Sequence, residues 1–213
     1  MSDIFREIED ELRRDNLLQL WQRYWKYAVG VVVLALLVAG AVVAWRDYQA
    51  SQREAQAARY SGALALVRDG KDAEAAKLFG ELAQHGGGYA VLAGFEEAEL
   101  LAKSGDRKGA AAAYDRLANT AGIDPEFRDA AVLLSVIQSF PEADGKSVIE
   151  RLQPLAASGS AWRGPALELQ AAAMLKSGDR DGARKVYQQL ADDLSAPQPL
   201  RARAAEMAAA LKS

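Results

Sequence analysis

The sequence has no cysteine, and His85 is the single histidine among its 213 residues. The first absence excludes disulfides, thiol catalysis and cysteine metal sites. The second leaves no histidine pair for catalysis or metal binding within one chain. A surplus of positive charge is missing as well. With 26 Lys and Arg against 29 Asp and Glu, the net charge is -3, and nucleic acid is not an expected partner. Neither Gly nor Pro interrupts the stretch from Trp45 to Ser61, so a helix that begins earlier is expected to run on through it.

Half of the residues are apolar, enough for a core of ordinary domain size. They are unevenly spread. The run AVGVVVLALLVAGAVVAW, Ala28 to Trp45, holds no charge. As a helix it spans roughly 27 Å, close to the hydrocarbon thickness of a bilayer. Trp21, Tyr24, Trp25 and Tyr27 precede it, and Trp45 and Tyr48 follow, placing amphipathic rings where both headgroup layers would lie. A buried core helix would not need such girdles. A cleaved signal peptide fits poorly, because the 27 residues before the run include six acidic ones rather than a short basic segment. An uncleaved anchor is the expectation.

Arg13, Arg14, Arg23 and Lys26 precede the span, and Arg46, Arg53 and Arg59 follow it, a slight bias toward a cytoplasmic N-terminus. Ahead of the span, Ile4, Ile8 and Leu12, then Leu17, Trp21 and Trp25, recur at helical spacing. They predict an amphipathic segment lying on the membrane or against a membrane partner.

Beyond Tyr48 the chain repeats itself. Aligned on a turn, it reads RDGKDAEAAKLFGELA (68–83), KSGDRKGAAAAYDRLA (103–118), the degenerate PEADGKSVIERLQPLA (141–156) and KSGDRDGARKVYQQLA (176–191). The anchors Gly70, Gly105, Ala143 and Gly178 are 35, 38 and 35 residues apart, a period that predicts stacked helical hairpins. Each glycine is placed to end a helix in the left-handed conformation, and Asp106 and Asp179 to cap the next one. Ala75, Ala110 and Ala183 come next, then Phe79, Tyr114 and Tyr187, then Leu82, Leu117 and Leu190, and finally Ala83, Ala118 and Ala191. Offsets of 0, 4, 7 and 8 share one helical face, so these residues are candidate core.

First helices are expected at 90–103, 126–140 and 164–176, with Asp124-Pro125 as a start signal. Pro154 should kink or shorten the second helix of the third copy. The segment after Pro197 and Pro199 is expected to form a capping helix. Stacked hairpins should leave a concave surface suited to a partner's peptide or helix.

The Gly-Asp turn, the alanine five residues on and the aromatic nine residues on resemble the tetratricopeptide repeat over roughly residues 57–193. Leu117, Gly122 and Gly94 depart from it, replacing a small residue, a closing proline and a leading aromatic. Together with SDIFREIEDELRRDNLLQLWQRYWKY and one span, the whole chain resembles the bacterial ancillary SecYEG translocon subunit family. Its repeats are also similar to those of the cell-division coordinator proteins of the envelope. The resemblance implies a cytoplasmic N-terminus, one inner-membrane span and a periplasmic repeat domain. It implies contact with SecYEG and with periplasmic chaperones or exported clients.

The expectation is therefore an all-α protein: a cytoplasmic amphipathic segment at 1–24, a transmembrane helix at 25–47, and a tetratricopeptide-like helical-hairpin solenoid at 48–213. Its expected role is that of a non-catalytic adaptor with the lipid bilayer as one partner. The alternative is an envelope scaffold for cell division or outer-membrane biogenesis.

No catalytic, cofactor or metal site is expected. ADGKSV (143–148) ends like a phosphate-binding loop, but Phe140 stands where the first glycine is needed and no strand precedes it. HGGGY (85–89) lacks a lysine and reads as a connector with an exposed histidine. Glu96, Glu97 and Glu99 are expected on a solvated helix face, and Asp192-Asp193 at the polar end of a helix.

Overall fold

The computed structural model describes residues 3–85, 87–157 and 159–212, with the side chains of residues 3–22 and of Ala28 outside that description. Among the described residues there are nine helices and no strand. They are α1 (Asp3–Arg68), α2 (Asp72–His85), α3 (Ala90–Lys103), α4 (Arg107–Ala118), α5 (Pro125–Ser139), α6 (Gly145–Leu152), α7 (Arg163–Lys176), α8 (Arg180–Asp192) and α9 (Gln198–Ala210). The chain divides into two compact units, Met1–Glu54 and Ala55–Ser213.

In the first unit, every described residue from Val29 to Trp45 is exposed. The apolar window of this helix has a mean hydropathy of 2.7, and none of it is buried. A core helix of a soluble protein would be covered by its own chain. This one has the length and composition of a membrane anchor or a signal sequence. Tyr24 and Tyr27 lie 6.3 Å apart at one end, and Trp45 and Tyr48 6.4 Å apart at the other. The stripe expected from Ile4 to Trp21 lies outside the described side chains. As expected from the lack of Gly and Pro, α1 continues without a break through Ser61 to Arg68.

The second unit is built from one turn chemistry used repeatedly. Gly70, Gly105 and Gly178 have φ of 74°, 88° and 85°, a region costly for residues with a Cβ. In each case the following N–H donates to the carbonyl five residues back: Lys71 to Leu66, Asp106 to Leu101 and Asp179 to Met174. Carbonyls at the helix end are thereby satisfied. Asp106 and Asp179 then accept from the N–H groups of Gly109 and Gly182, the expected N-caps. Asp124 caps α5 ahead of Pro125.

The expected core faces are inside. Ala75, Ala110, Ala183, Phe79 and Leu190 are fully buried, and Tyr114, Tyr187, Leu82 and Leu117 nearly so. Ala83 and Ala191 are only half-buried. Each apolar cluster borrows a helix from the next hairpin. One joins the end of α1 to α2 and α3; another joins α5, α6 and α7; a third joins α7, α8 and α9. Stability thus runs from neighbour to neighbour along the stack.

The third hairpin departs from its siblings. Helix α6 stops at Leu152, two residues before Pro154, as an interior proline requires. Leu155 nevertheless stays buried in the turn that follows, keeping the register of Leu82, Leu117 and Leu190. No glycine closes α5. Instead the Lys176 ammonium, at the end of α7, donates to the carbonyls of Phe140, Pro141 and Ala143 at 2.8, 2.9 and 2.6 Å. Lys103 occupies the same repeat position and reaches back to Asp72 at 2.7 Å. The lysine in KSGD therefore ties its turn to the preceding hairpin, a role that the sequence pattern did not disclose.

Candidate docking face

Six large apolar side chains are exposed in the second unit among the described residues: Leu64, Leu92, Phe127, Ile137, Leu194 and Met207. Four of them stand on first helices of hairpins, namely the end of α1, α3 and α5. Leu92 is 48% exposed and Phe127 47%. Half-buried Phe95, about one helical turn on from Leu92, has its ring centroid 6.2 Å from that of Phe127 and 6.0 Å from that of Tyr114. Offsets of 3, 4 and 7 put Leu92, Phe95, Glu96 and Glu99 on one face of α3. Tyr60, from α1, packs 5.1 Å from Tyr89 and lies beside Glu96. The result is an apolar face with acidic residues beside it, crossing successive first helices.

Two departures from the repeat pattern have physical reasons. A Cβ on Gly94 would sit 3.1 Å from a Leu117 methyl, so the missing aromatic on α3 makes room for the enlarged residue on α4. Gly122 has φ of 75°, which proline's ring forbids.

The acidic residues divide by surroundings. Glu99 is exposed as expected, whereas Glu96 is half-buried with the Tyr60 hydroxyl against it. Glu97 is not on a solvated face: its side chain is only 14% exposed and meets the Arg116 guanidinium at 2.6 Å. Burial, and secondarily the Glu99 carboxylate, push the Tyr114 phenol above its ordinary value, because ionising it would put a second negative charge in a poorly solvated place. Asp193 is also more than a polar helix end. It pairs with Arg163 across the connector between α8 and α9, and the Ser195 hydroxyl and N–H, then Arg163, hold its carboxyl below the usual range.

A cleft of about 860 Å³ lies between the connector that enters α7 and the one that enters α9, with Trp162, Pro165, Glu168, Pro199 and Arg203 in its lining. Its charges are already engaged with each other, Arg163 with Asp193 and Arg203 with Glu168 at 3.0 Å. The Gly-Lys-Ser of ADGKSV forms the start of α6, where Asp144 caps Ser147. A Cβ on Gly145 would lie 2.1 Å from the Ser177 hydroxyl oxygen, so this glycine serves a helix crossing. His85 is exposed at the end of α2. Among the described residues, no three His, Cys, Asp or Glu side chains are grouped to hold a metal ion.

A family model described as a tetratricopeptide repeat-like domain matches residues 19–208. The chain belongs to that family. A tetratricopeptide repeat-like domain is generally a non-catalytic scaffold for protein interaction, and an exposed apolar face on the first helices suits that use. Among solved structures, the chain is similar to a variant of a putative kinesin light chain from Podosopora anserina with nearly identical TPR-like repeats. The TM-score is 0.54 at 14% identity, covering 72% of this chain and 83% of that one. At that identity the likeness shows the fold: an all-α tetratricopeptide-like solenoid. No curated protein sequence matches.

Proposed function

We propose that this protein is a membrane-anchored adaptor that holds a second protein on its repeat domain. The observation carrying this reading is the exposed Leu92–Phe127 face in the same chain as an apolar helix whose described residues from Val29 to Trp45 are all exposed. In this reading residues 1–24 form a cytoplasmic amphipathic segment, 25–47 span the inner membrane once and 48–213 form the periplasmic repeat domain. Resemblance of the leading segment, span and repeats to the ancillary SecYEG subunits supports an accessory role at the translocon. There the repeats would act with periplasmic chaperones on exported chains.

A photocrosslinking residue at Leu92 in the full chain, expressed in a bacterial envelope, tests the reading. Crosslinks to an exported protein or a periplasmic chaperone are expected, with SecYEG recovered in the same detergent-solubilised complex. Crosslinks confined to division or outer-membrane assembly proteins would overturn the translocon role and leave the adaptor role standing. Alkaline phosphatase fused after Ser213 should be active, and inactive fusions would reverse the topology.

A further inference from the structure

We infer that the segment docking on the Leu92–Phe127 face is cationic as well as apolar: an amphipathic stretch of another protein that sets Lys or Arg beside its apolar residues. The inference rests on the adaptor reading and adds the chemistry of the partner. Its basis is the uneven charge of the two helices that carry the face. Helix α3 has Glu96, Glu97, Glu99 and Lys103; α5 has Glu126, Arg128 and Asp129.

The two helices thus carry five carboxylates against two cations. Lys103 is held by Asp72 on α2, and Arg128 donates to the Ile123 carbonyl. Glu97 is matched by Arg116. None of the ion pairs among the described residues involves Glu96, Glu99, Glu126 or Asp129. Glu96 is half-buried and accepts from the Tyr60 hydroxyl, Asp129 is half-buried, and Glu99 and Glu126 are exposed.

Glu96 and Glu99 flank Phe95 on its own helical face, and Glu126 adjoins Phe127 in sequence. Apolar contact at Leu92, Phe95 and Phe127 would bind any greasy segment. The surrounding carboxylates select among such segments, because a partner carboxylate brought against them meets like charge while an ammonium meets its complement. The same carboxylates repel anionic lipid headgroups, which disfavours the bilayer surface as occupant of this face.

The test uses the full chain in nanodiscs of zwitterionic lipid, with empty nanodiscs as the blank. The probes are a labelled helical peptide of Leu and Lys and its twin with every Lys replaced by Glu, both followed by fluorescence anisotropy. The Lys peptide should bind about tenfold more tightly, a preference that shrinks as salt is raised. Combining Glu96→Gln, Glu99→Gln and Glu126→Gln should erase the preference with helicity unchanged by circular dichroism. Phe127→Ser should weaken both peptides.

Equal binding of the two peptides, lost together in Phe127→Ser, would overturn the charge inference and leave the docking face intact. No binding above the blank would overturn both, as would binding indifferent to every variant. A dimer that excludes both peptides and that Phe127→Ser dissociates would assign the face to a second copy instead, and would also overturn the inference.

Discussion

A Cβ added at Gly145 would lie 2.7 Å from the Ala173 carbonyl oxygen as well as against Ser177. Backbone cannot rotate aside as a side-chain end can, so Gly145→Ala should force α6 away from α7. The expected cost is about 1–3 kcal/mol, the range for overpacking, read from urea unfolding followed by circular dichroism. A loss below a few tenths would mean the crossing is looser than it looks. At Gly105 the constraint is conformational. With φ at 88°, Gly105→Val should destabilise the domain clearly, whereas Lys108→Ala removes only an exposed contact with Glu142 and should change little. Gly94 and Leu117 offer a cycle. Leu117→Ala alone should cost about 2–5 kcal/mol, and adding Gly94→Ala should recover part of it by filling the space vacated. Strict additivity of the pair would show that the two positions do not compensate.

Between elements, the ties have different strengths. Lys176 closes the end of α5 by satisfying three carbonyls, while Lys103 meets one carboxylate and remains 64% exposed. Lys176→Ala should therefore lower the melting temperature more than Lys103→Ala, since it removes three hydrogen bonds from a charged donor and Lys103→Ala one exposed ion pair. Equal shifts would remove Lys176 from its capping role. The tie between Asp193, Ser195 and Arg163 gives a pH signature. The Asp193 carboxyl is held below its ordinary value of 3.8. Its contribution is thus complete above that value and is lost as pH falls through the lower value of the folded state. Stability measured against pH should fall off below about 4, and Asp193→Asn should flatten that limb. An unchanged acid limb in the variant would assign the fall to other carboxylates.

For the whole molecule, the apolar helix decides where the repeats work. If it is retained as an anchor, the intact mass of the membrane-extracted protein should include residues 28–45. A mature chain starting just beyond Ala41 would make the helix a signal sequence and release the repeats from the membrane. Leu36→Arg should shift protein into the carbonate-soluble fraction, because a central arginine costs about 2.5–3.5 kcal/mol on insertion. Anchoring matters for function because tethering raises the local concentration of whatever the repeats hold, without any new contact.

Much of this architecture could be read from periodicity. Turn glycines, capping aspartates, the Ala-aromatic-Leu face and the shortened α6 follow from local rules that depend on residues within about a dozen positions. The apolar run by itself determines that one helix is able to cross a bilayer. Contacts between helices, within a hairpin or from one hairpin to the next, were not legible in that way. Lys176 bonds carbonyls 33 to 36 residues away, Glu97 meets Arg116, Leu117 fills the space over Gly94, and Asp193 meets Arg163. The candidate docking face belongs to the same class. Leu92 and Phe127 have the look of ordinary core residues in their own helices; they are exposed because the stacking of α3 beside α5 leaves that side of both helices uncovered. Local sequence determined the hairpins, and only tertiary packing decided which apolar residues remained for a partner.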